Sequence, residues 1–428
     1  MSKISILCPY CFKPFDRTEV QMQCMNRTEK QELIDGTYRR VPVCRPEIDD
    51  KFSAHWGAQV PVKYIFSPNL SRREKSAGWF SPMQPISEKP CPRCGVPTQR
   101  FVCPHCHNWL PAEMIEKGSE IISVIGGPAS GKSNYIVALI HELLQHQGKL
   151  GLNVVLQQVG RTPEEYTSSI YRSAKAKIFD EKEALPKTQV VNNPIPWIIR
   201  MESVATKKAV YLVFYDTAGE SFDNMEQIEK DSAYFIHSKA VIVAFDTLAI
   251  PKIKQVLKEK GIENPTEAYD YTKMVETILN YHQQNMGHHL NEKPYALVFT
   301  KFDVVIDNND ALNCSVDTFL DDDDNFKNSP YITSKDNVVS LAEMKECNDT
   351  IESYLSDPDI WDEDGFLSNI KNSWGADNIQ FFGVSALGGM TDYSYSIQTK
   401  GDKIKPIRVL DPLVWILIKL GGFGIKFK

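Results

Sequence analysis

The chain has 428 residues, of which 42% are hydrophobic and 24% are charged, and a formal net charge of -7. Its length predicts two or three folded units of roughly 100–200 residues, and its composition excludes an intrinsically disordered chain. The acidic balance argues against a protein that binds nucleic acid by broad neutralisation of its phosphates. The sequence has no signal-like start and no apolar run of roughly 20 residues, so we expect a cytoplasmic protein with no membrane span.

The cysteines are concentrated near the start of the chain. Eight of the ten lie before residue 107, and the sequence pattern changes from Gly118 onward. We therefore predict a cysteine-rich zinc-binding module at 1–117, with a ribbon at 88–111, and a second domain at 118–428.

The first cysteine pair, Cys8-Pro-Tyr-Cys11, has the spacing of a metal-binding knuckle. We predict that Cys24 and Cys44 complete this zinc site, with His55 as a substitute for one of them. Pairing of the first knuckle with one of the later knuckles is the alternative.

Two further knuckles, Cys91-x-x-Cys94 and Cys103-x-x-Cys106, are separated by eight residues. This spacing allows four thiolates to surround one tetrahedral Zn²⁺, with His105 and His107 as substitutes. Because four thiolates leave no position for water, both predicted zinc ions should organise the fold and take no part in catalysis.

Apolar strands alternate with helical stretches from Gly118 onward, which predicts an α/β domain with a doubly wound, mostly parallel sheet. Predicted strands are Glu120–Ile125, Trp197–Met201, Val210–Tyr215, Ala240–Phe245, Tyr295–Phe299 and Ile379–Val384. Predicted helices are Lys132–Gln145, Pro163–Lys177, Pro265–Gln284, Leu341–Leu355 and Asp411–Leu420. Two stretches, at about 148–188 and 304–372, are interpreted as insertions, and the acidic run Asp321–Asp324 as a solvated loop.

A phosphate-binding loop is predicted directly after the first strand of this domain. The motif G-x-x-x-x-G-K-[ST] is matched by Gly126-Gly127-Pro128-Ala129-Ser130-Gly131-Lys132-Ser133. Glycine lets successive amides face the phosphates, Lys132 neutralises the β- and γ-phosphates, and Ser133 would ligate Mg²⁺. Pro128 removes one amide donor, so the cradle depends on Ala129 through Ser133.

A second element, Asp216-Thr217-Ala218-Gly219, follows the strand that ends at Tyr215. Ligands of open α/β sheets bind at this end of the strands, so Asp216 could hold Mg²⁺ through water. The Gly219 amide is suited to sensing the γ-phosphate, and the segment after it could change order when that phosphate leaves.

Two later elements favour guanine over adenine. Thr300-Lys301-Phe302-Asp303 matches the pattern [NT]-K-x-D, and the Asp303 carboxylate can accept hydrogen bonds from the guanine ring N–H and amine. Ser385-Ala386 follows the last predicted strand, where a backbone amide could donate to the guanine oxygen. The four elements in this order predict a GTP/GDP site.

These motifs resemble the Ras-like, translation-factor-related branch of P-loop GTPases over about Ser119 to Leu420. With Cys-Pro-Tyr-Cys-Phe near the start and Cys-Pro-His-Cys-His-Asn-Trp-Leu-Pro before the second domain, the chain resembles bacterial zinc-ribbon GTPases of the double-GTPase type. The resemblance implies GTP hydrolysis and a role in conflict or defence gene clusters, including antiviral defence.

The chain departs from the Ras-like pattern after D-x-x-G. Glu220 stands where these enzymes commonly carry the glutamine that orients the attacking water, so we expect slow turnover. Thr188, with Thr162 as second choice, is the candidate threonine that completes the Mg²⁺ shell. Arg161 is a candidate internal arginine finger.

We therefore expect a slow GTPase that acts as a switch, with Lys132, Glu220 and Thr188 in catalytic roles and an unidentified protein partner or effector. The rival interpretation is a scaffold that holds GTP without hydrolysing it. A zinc-ribbon protein that binds nucleic acid and is regulated by GTP is a third reading.

Overall fold

The computed structural model describes residues 5–68, 88–186, 195–215, 222, 224–226, 228, 235–261, 269–286, 293–312, 329–333, 337–361, 365–389 and 403–428. The chain divides into two compact units. The first contains Met1–Glu120 and Gln157–Tyr166, and the second contains Ile121–Leu156 and Thr167–Lys428. Among the described residues, no helix has the length and apolar character needed to cross a membrane.

The first unit is built from short strands and two short helices. Its strands are β1 Ser5–Leu7, β2 Pro14–Asp16, β3 Gln21–Gln23, β4 Glu29–Ile34, β5 Thr37–Pro42, β6 Glu47–Ile48, β7 Pro61–Val62, β8 Ile65–Phe66, β9 Lys89–Pro90, β10 Pro97–Thr98, β11 Arg100–Val102 and β12 Trp109–Leu110. Its helices are α1 Asp50–Trp56 and α2 Ala112–Lys117. Strands β12, β11, β3 and β8 form a four-stranded sheet in that order.

Three hairpins of this unit carry a C-x-x-C knuckle between their strands. The antiparallel pairs are β1 with β2, β9 with β10, and β11 with β12. Strand β3 then pairs with β11, which brings Gln21 opposite Val102 and Gln23 opposite Arg100. This pairing joins a segment near the start of the chain to the ribbon about 80 residues later. Such a contact is possible because strands that are far apart in the sequence can lie side by side in a sheet.

The second unit is a seven-stranded, mostly parallel sheet with helices. Its strands are β13 Ile121–Gly126, β14 Leu152–Leu156, β15 Pro196–Ser203, β16 Ala209–Tyr215, β17 Ala240–Asp246, β18 Tyr295–Thr300 and β20 Ile379–Gly383, in the order β14-β15-β16-β13-β17-β18-β20. Two short strands, β19 Val338–Val339 and β21 Lys426–Phe427, pair separately. The expected doubly wound α/β fold is therefore present, with antiparallel pairing confined to β14, β15 and β16.

All six predicted strands are present, each with bounds within three residues of the prediction. Most are buried along their whole length, as expected for parallel strands covered on both faces. The seventh strand, β14, was not predicted and lies in the stretch interpreted as an insertion. It is an edge strand that alternates buried and exposed residues and contains the polar Asn153, so its apolar signal is weak.

The helices of the second unit are α3 Lys132–His146, α4 Thr167–Lys175, α5 Pro251–Glu259, α6 Tyr271–Met286, α7 Asp303–Asp307, α8 Asn309–Leu312, α9 Pro330–Thr333, α10 Leu341–Leu355, α11 Phe366–Trp374 and α12 Asp411–Leu420. The helix predicted at Pro163–Lys177 is divided, because Tyr166 adopts an extended backbone between the 3₁₀ turn Pro163–Glu165 and α4. Residues 265–268 of the predicted Pro265–Gln284 helix lie outside the described residues.

One large hydrophobic core cluster joins the sheet to α3 and α12. Helix α12 is buried along most of its length, including Leu413, Trp415 and Ile416. The most apolar stretch of the sequence is thus a core helix of the second unit, and its burial fixes the chain that leads into it.

Candidate nucleotide site and metal centres

The turn from β13 into α3 forms a tight loop whose backbone leaves little room for side chains. Ala129 and Gly131 have positive φ angles of 56° and 68°. A Cβ at Gly126 would lie 2.8 Å from the Ala244 carbonyl oxygen, and one at Gly127 would lie 2.6 Å from the Tyr269 ring. Glycine is therefore required at both positions by close approach of neighbouring groups.

Helix α3 begins at Lys132, immediately after the glycine turn. The first amide groups of a helix have no partner within the helix and carry a partial positive charge, so this end favours an anion. Lys132 is 5% exposed, and Ser130 is buried beside it. The start of α3 thus brings together in one turn the amides, the Lys132 ammonium and the Ser133 hydroxyl, which are the groups predicted to bind phosphate and Mg²⁺.

Two residues of the T-K-F-D element, at the end of β18, contact this loop. Thr300 Oγ1 lies 2.5 Å from the Ser130 carbonyl oxygen and 3.0 Å from that of Phe245. The Lys301 ammonium donates to the Ala129 carbonyl at 2.9 Å and pairs with Asp246 Oδ2 at 3.0 Å. The loop is therefore fastened to β18 by two side chains.

Asp246 is a residue of this network that sequence reasoning did not single out. It ends β17, is 2% exposed, and accepts from the Leu248 amide at 3.0 Å as well as from Lys301. Its own amide donates to Tyr271 Oη at 2.9 Å. A carboxylate directly after a predicted strand, the neighbour in the sheet of the strand that leads to Asp303, was the available signal.

Asp303 begins α7 and is 4% exposed. Burial raises the pKa of its carboxyl group, whereas a hydrogen bond from Ser385 lowers it. Guanine presents a ring N–H and an exocyclic amine on one edge, and donors of this kind favour the ionised carboxylate. Recognition of this edge of guanine by Asp303 stays a prediction.

Ser385 is engaged through its backbone as well as its side chain. Its amide donates to the Ile407 carbonyl at 3.0 Å, and the Ile407 amide donates back at 2.7 Å. The Ser385 hydroxyl accepts from the Gly388 amide at 2.9 Å. Among the described residues, no backbone carbonyl accepts from the Ala386 amide, and its donation to a guanine oxygen stays a prediction.

Several predicted site residues lie outside the described residues. These are Thr188, Asp216, Gly219 and Glu220, together with the acidic run Asp321–Asp324. Their roles stay predictions. The described part of the site comprises the phosphate loop, the T-K-F-D element and the Ser385-Ala386 element.

Arg161, the candidate arginine finger, belongs to the first unit in this structure. Its guanidinium lies 3.9 Å from the centre of the Trp56 ring and pairs with Glu165 at 2.5 Å. Thr162 precedes the 3₁₀ turn at Pro163 without a capping hydrogen bond from its side chain. In this conformation Arg161 is held by a ring and a carboxylate of its own unit.

The eight predicted zinc ligands form two clusters of four, but with a grouping that differs from the first prediction. One cluster contains Cys8, Cys11, Cys103 and Cys106, and the other contains Cys24, Cys44, Cys91 and Cys94. The prediction that Cys91, Cys94, Cys103 and Cys106 share one ion, with the other four sharing the second, is therefore wrong for this structure. The alternative, in which the first knuckle pairs with a later one, describes what is found.

The extended chain between the two later knuckles explains this crossing. Each knuckle closes its own hairpin, and β10 and β11 occupy most of the eight-residue spacer. An extended spacer holds the two knuckles apart, since each strand residue advances the chain by about 3.3 Å. Pairing of β3 with β11 then places Cys24 beside the Cys91–Cys94 knuckle.

The sulfur separations fit a tetrahedral metal. Cys8 and Cys106 Sγ atoms are 3.7 Å apart, those of Cys11 and Cys103 are 3.8 Å apart, and those of Cys24 and Cys94 are 3.5 Å apart. Four sulfurs at about 2.3 Å from a zinc ion would be separated by about 3.8 Å, whereas a disulfide needs about 2.05 Å. The donor set and spacing therefore suit two structural zinc ions.

The three knuckles share a backbone design that prepares them for a metal. In each, the residue after the second cysteine has a positive φ and its amide donates to the carbonyl of the first cysteine; these residues are Phe12, Gly95 and His107. Hydrogen bonds from Cys103 and its neighbours lower the pKa of Cys11, whereas burial raises that of Cys8.

The candidate histidine ligands lie outside both clusters. His55 packs edge-on against the Tyr10 and Trp56 rings. His107 Nδ1 lies 2.8 Å from Asp49, and the His105 amide donates to the Cys103 sulfur at 3.3 Å. These residues support the knuckles, and thiolates fill all four positions of each cluster.

Part of the second unit matches a known family model. Residues 123–310 match the family model described as Double-GTPase 1. A provisionally named ESX-1 scaffolding and assembly protein, SaeC of Mycolicibacterium smegmatis, is 25% identical over 192 residues, which cover 43% of this chain and 47% of SaeC. The chain thus spans about half the length of this curated relative.

Solved structures that are similar to this chain include two GTP-related proteins. The Ski7 GTPase-like domain of S. cerevisiae bound to GTP has 12% identity and a TM-score of 0.30, covering 70% of this chain and 50% of that chain. Translation elongation factor SelB from Methanococcus maripaludis, with a GTP analogue, has 10% identity and a TM-score of 0.22, covering 63% and 30%.

Proposed function

We propose that the P-loop GTPase domain of the double-GTPase type that this chain carries, matched over residues 123–310, binds GTP with Mg²⁺ and hydrolyses it slowly as a switch. The observation that carries the proposal is the joint placement of Lys301 on the phosphate loop and of Asp303 beside Ser385. One short segment thereby links phosphate binding to recognition of the base.

In the proposed reaction, water attacks the γ-phosphorus and GDP leaves as its bond to that phosphorus breaks. Lys132 and the amides from Ala129 to Ser133 would stabilise the phosphate oxygens. Ser133, with Asp216 through water and Thr188, would hold Mg²⁺, which supplies charge neutralisation between the β- and γ-phosphates. Glu220 would bind the attacking water less favourably than glutamine, because its charge lies near a developing anion.

We further propose that the zinc-bearing unit recruits or transmits to a protein partner. Its support is that Gln157–Tyr166, which follows α3 and β14 in the chain, is part of this unit. In Ras-like proteins the segment after the first helix responds to the γ-phosphate. The expected role in conflict or defence systems would then lie in the choice of partner.

The second candidate function is a GTP-binding scaffold. It is favoured by Glu220 and by the similarity to SaeC, whose name assigns it to scaffolding and assembly. A scaffold would bind GTP tightly and release phosphate no faster than spontaneous hydrolysis does.

The test is multiple-turnover phosphate release with GTP and Mg²⁺, measured together with nucleotide affinity. Wild type, Lys132→Ala and Glu220→Gln are compared, with Arg200→Met as a control variant in the same unit. Turnover in wild type that is lost in Lys132→Ala supports the switch, and Glu220→Gln should accelerate it. Tight GTP binding without turnover would support the scaffold function and not the switch. Absence of guanine-nucleotide binding would refute both functions.

A further inference from the structure

The loop that contains Ser385 and follows β20 packs against a second segment of the chain, which is not part of any of the nucleotide-binding motifs. Ser385 and Ile407 exchange two backbone hydrogen bonds, at 3.0 and 2.7 Å. At Gly388, with a φ of 69°, an added Cβ would lie 2.3 Å from the Lys405 carbonyl oxygen. The backbone from Lys405 to Ile407 is therefore packed directly against the loop that ends β20.

This supporting segment is in turn fixed at Arg408. The Arg408 backbone has a φ of 52°, which is uncommon for a residue with a side chain. Its Nη2 lies 2.5 Å from Asp411 Oδ2, and the two side chains are 4% and 1% exposed. Asp411 is the first residue of α12, where the partial positive charge of the helix end favours a carboxylate.

A buried ion pair beside a left-handed arginine is a costly way to stabilise a core. Desolvating both charges offsets much of their attraction, and an apolar pair of similar volume often serves stability as well or better. Strained residues persist where the surrounding structure needs a particular local geometry. Burial lowers the pKa of Arg408, but Asp411, Cys347 and Tyr331 together raise this pKa above its ordinary value.

We propose that Arg408 and Asp411 are positioning residues for guanine recognition: their buried ion pair fixes Ile407, which holds Ser385 and Ala386 in place. This inference rests on the proposed guanine site. With the Ser385 amide committed to Ile407, the Ala386 amide remains to donate to the 6-oxo oxygen of the base. Loss of the ion pair releases the left-handed turn, and this donor moves away from the oxygen.

The supporting segment contacts Ser385 and Gly388 of this loop directly, and it is linked to Asp303 through the hydrogen bond from Ser385. Asp303, which reads the ring N–H and 2-amino group, begins α7 after a different strand, β18. Disturbing Arg408 should therefore weaken recognition of the 6-oxo group more than recognition of the 2-amino group. A role in general stability alone would leave both unchanged in a folded variant.

The experiment measures the affinities of the full chain for GDP, 6-thio-GDP and IDP. The first analogue changes only the 6-oxo oxygen, and the second lacks only the 2-amino group. In Arg408→Met we expect GDP affinity to fall about tenfold, the size of effect of one lost hydrogen bond. The ratio of GDP to 6-thio-GDP affinity should approach one, and the ratio of GDP to IDP affinity should change less than about twofold.

Three further variants keep the test decisive. Arg408→Lys retains the charge and should keep most of the 6-oxo selectivity. Arg408→Met/Asp411→Leu replaces the pair with apolar groups, so it should fold even if the single variant does not, and it should still lose selectivity. Arg200→Met breaks another ion pair, that with Glu202, and should leave both affinity ratios unchanged.

The outcomes separate this inference from the function on which it rests. Wild type that binds no guanine nucleotide refutes the proposed function. Wild type that discriminates GDP from 6-thio-GDP, with equal discrimination in the folded double variant, refutes the positioning role and leaves the proposed function standing.

Discussion

Replacing two cysteines at a time should reveal which thiolates share a metal. The structure places Cys8 and Cys106 in one cluster and Cys91 in the other. Cys8→Ser/Cys106→Ser should therefore damage one zinc site twice, whereas Cys91→Ser/Cys106→Ser should damage both sites once. The grouping based on knuckle spacing gives the opposite result for each pair.

The magnitude follows from the binding energy of a structural zinc site, about 10–16 kcal/mol. If four thiolates share it equally, one contributes about 2.5–4 kcal/mol, which is roughly a hundred- to thousandfold in affinity. Each cluster offers four thiolates, and the sulfur separations of 3.5–3.8 Å in three of the pairs suit tetrahedral coordination. A chelator of intermediate strength should then strip a damaged site and spare an intact one.

The assay is zinc content per chain after dialysis against such a chelator. Wild type and the remote variant Cys347→Ser should retain two ions, because Cys347 lies in the second unit outside both clusters. Cys8→Ser and Cys8→Ser/Cys106→Ser should each retain one, and Cys91→Ser/Cys106→Ser should retain none. If the Cys8/Cys106 variant loses both ions while the Cys91/Cys106 variant keeps one, the crossed clusters are refuted.

Three other perturbations test the second unit. Lys301→Met removes contacts to Ala129 and to the buried Asp246. We therefore expect GDP affinity to fall by a hundredfold or more, about 3 kcal/mol. An unchanged affinity in a titration with a fluorescent GDP would contradict this. Asp303→Asn should shift the preference of the site from GDP towards XDP, since an amide can donate to the 2-oxo group of xanthine. If GDP still binds more tightly than XDP in a competition assay, Asp303 does not read the base. Burial lowers the pKa of His282 to about 4. Between about pH 6.5 and 4 the folded state therefore binds fewer protons than the unfolded state. Because of this difference, the folded state loses about 3 kcal/mol of stability as the pH falls through that range. His282→Gln should remove this part of the pH dependence in urea unfolding, and equal slopes for both proteins would refute it.

The strands that position the nucleotide site were predictable because each has a local apolar signal. Runs such as Ala240–Asp246 are buried at every residue, and parallel strands covered on both faces give continuous apolar sequences. The strand Leu152–Leu156 has one solvated face, so its pattern resembles that of a polar connection. Prediction therefore worked for the sheet centre and failed at one edge.

The zinc grouping was not predictable from spacing, because the same C-x-x-C knuckle serves a local or a crossed cluster equally well. Pairing of Gln23 with Arg100 decides between them, and no local pattern specifies a partner so far along the chain. The Arg408–Asp411 pair was missed for a related reason. Its proposed role depends on an isolated bridge between Ile407 and Ser385, two residues that are distant in the sequence.

Contacts near the crossed clusters indicate which segments of the chain belong to the first folded unit. Tyr10, between Cys8 and Cys11, packs edge-on against Trp56, and Arg161 lies over that ring at 3.9 Å. Tyr166 similarly meets Trp109, three residues after Cys106. A fragment that stops at residue 117 would keep all eight thiolates but lose these two contacts, leaving both tryptophan rings more exposed. The eight thiolates and Gln157–Tyr166 thus belong to one folded unit, although some 40 residues separate residue 117 from Gln157 in the chain.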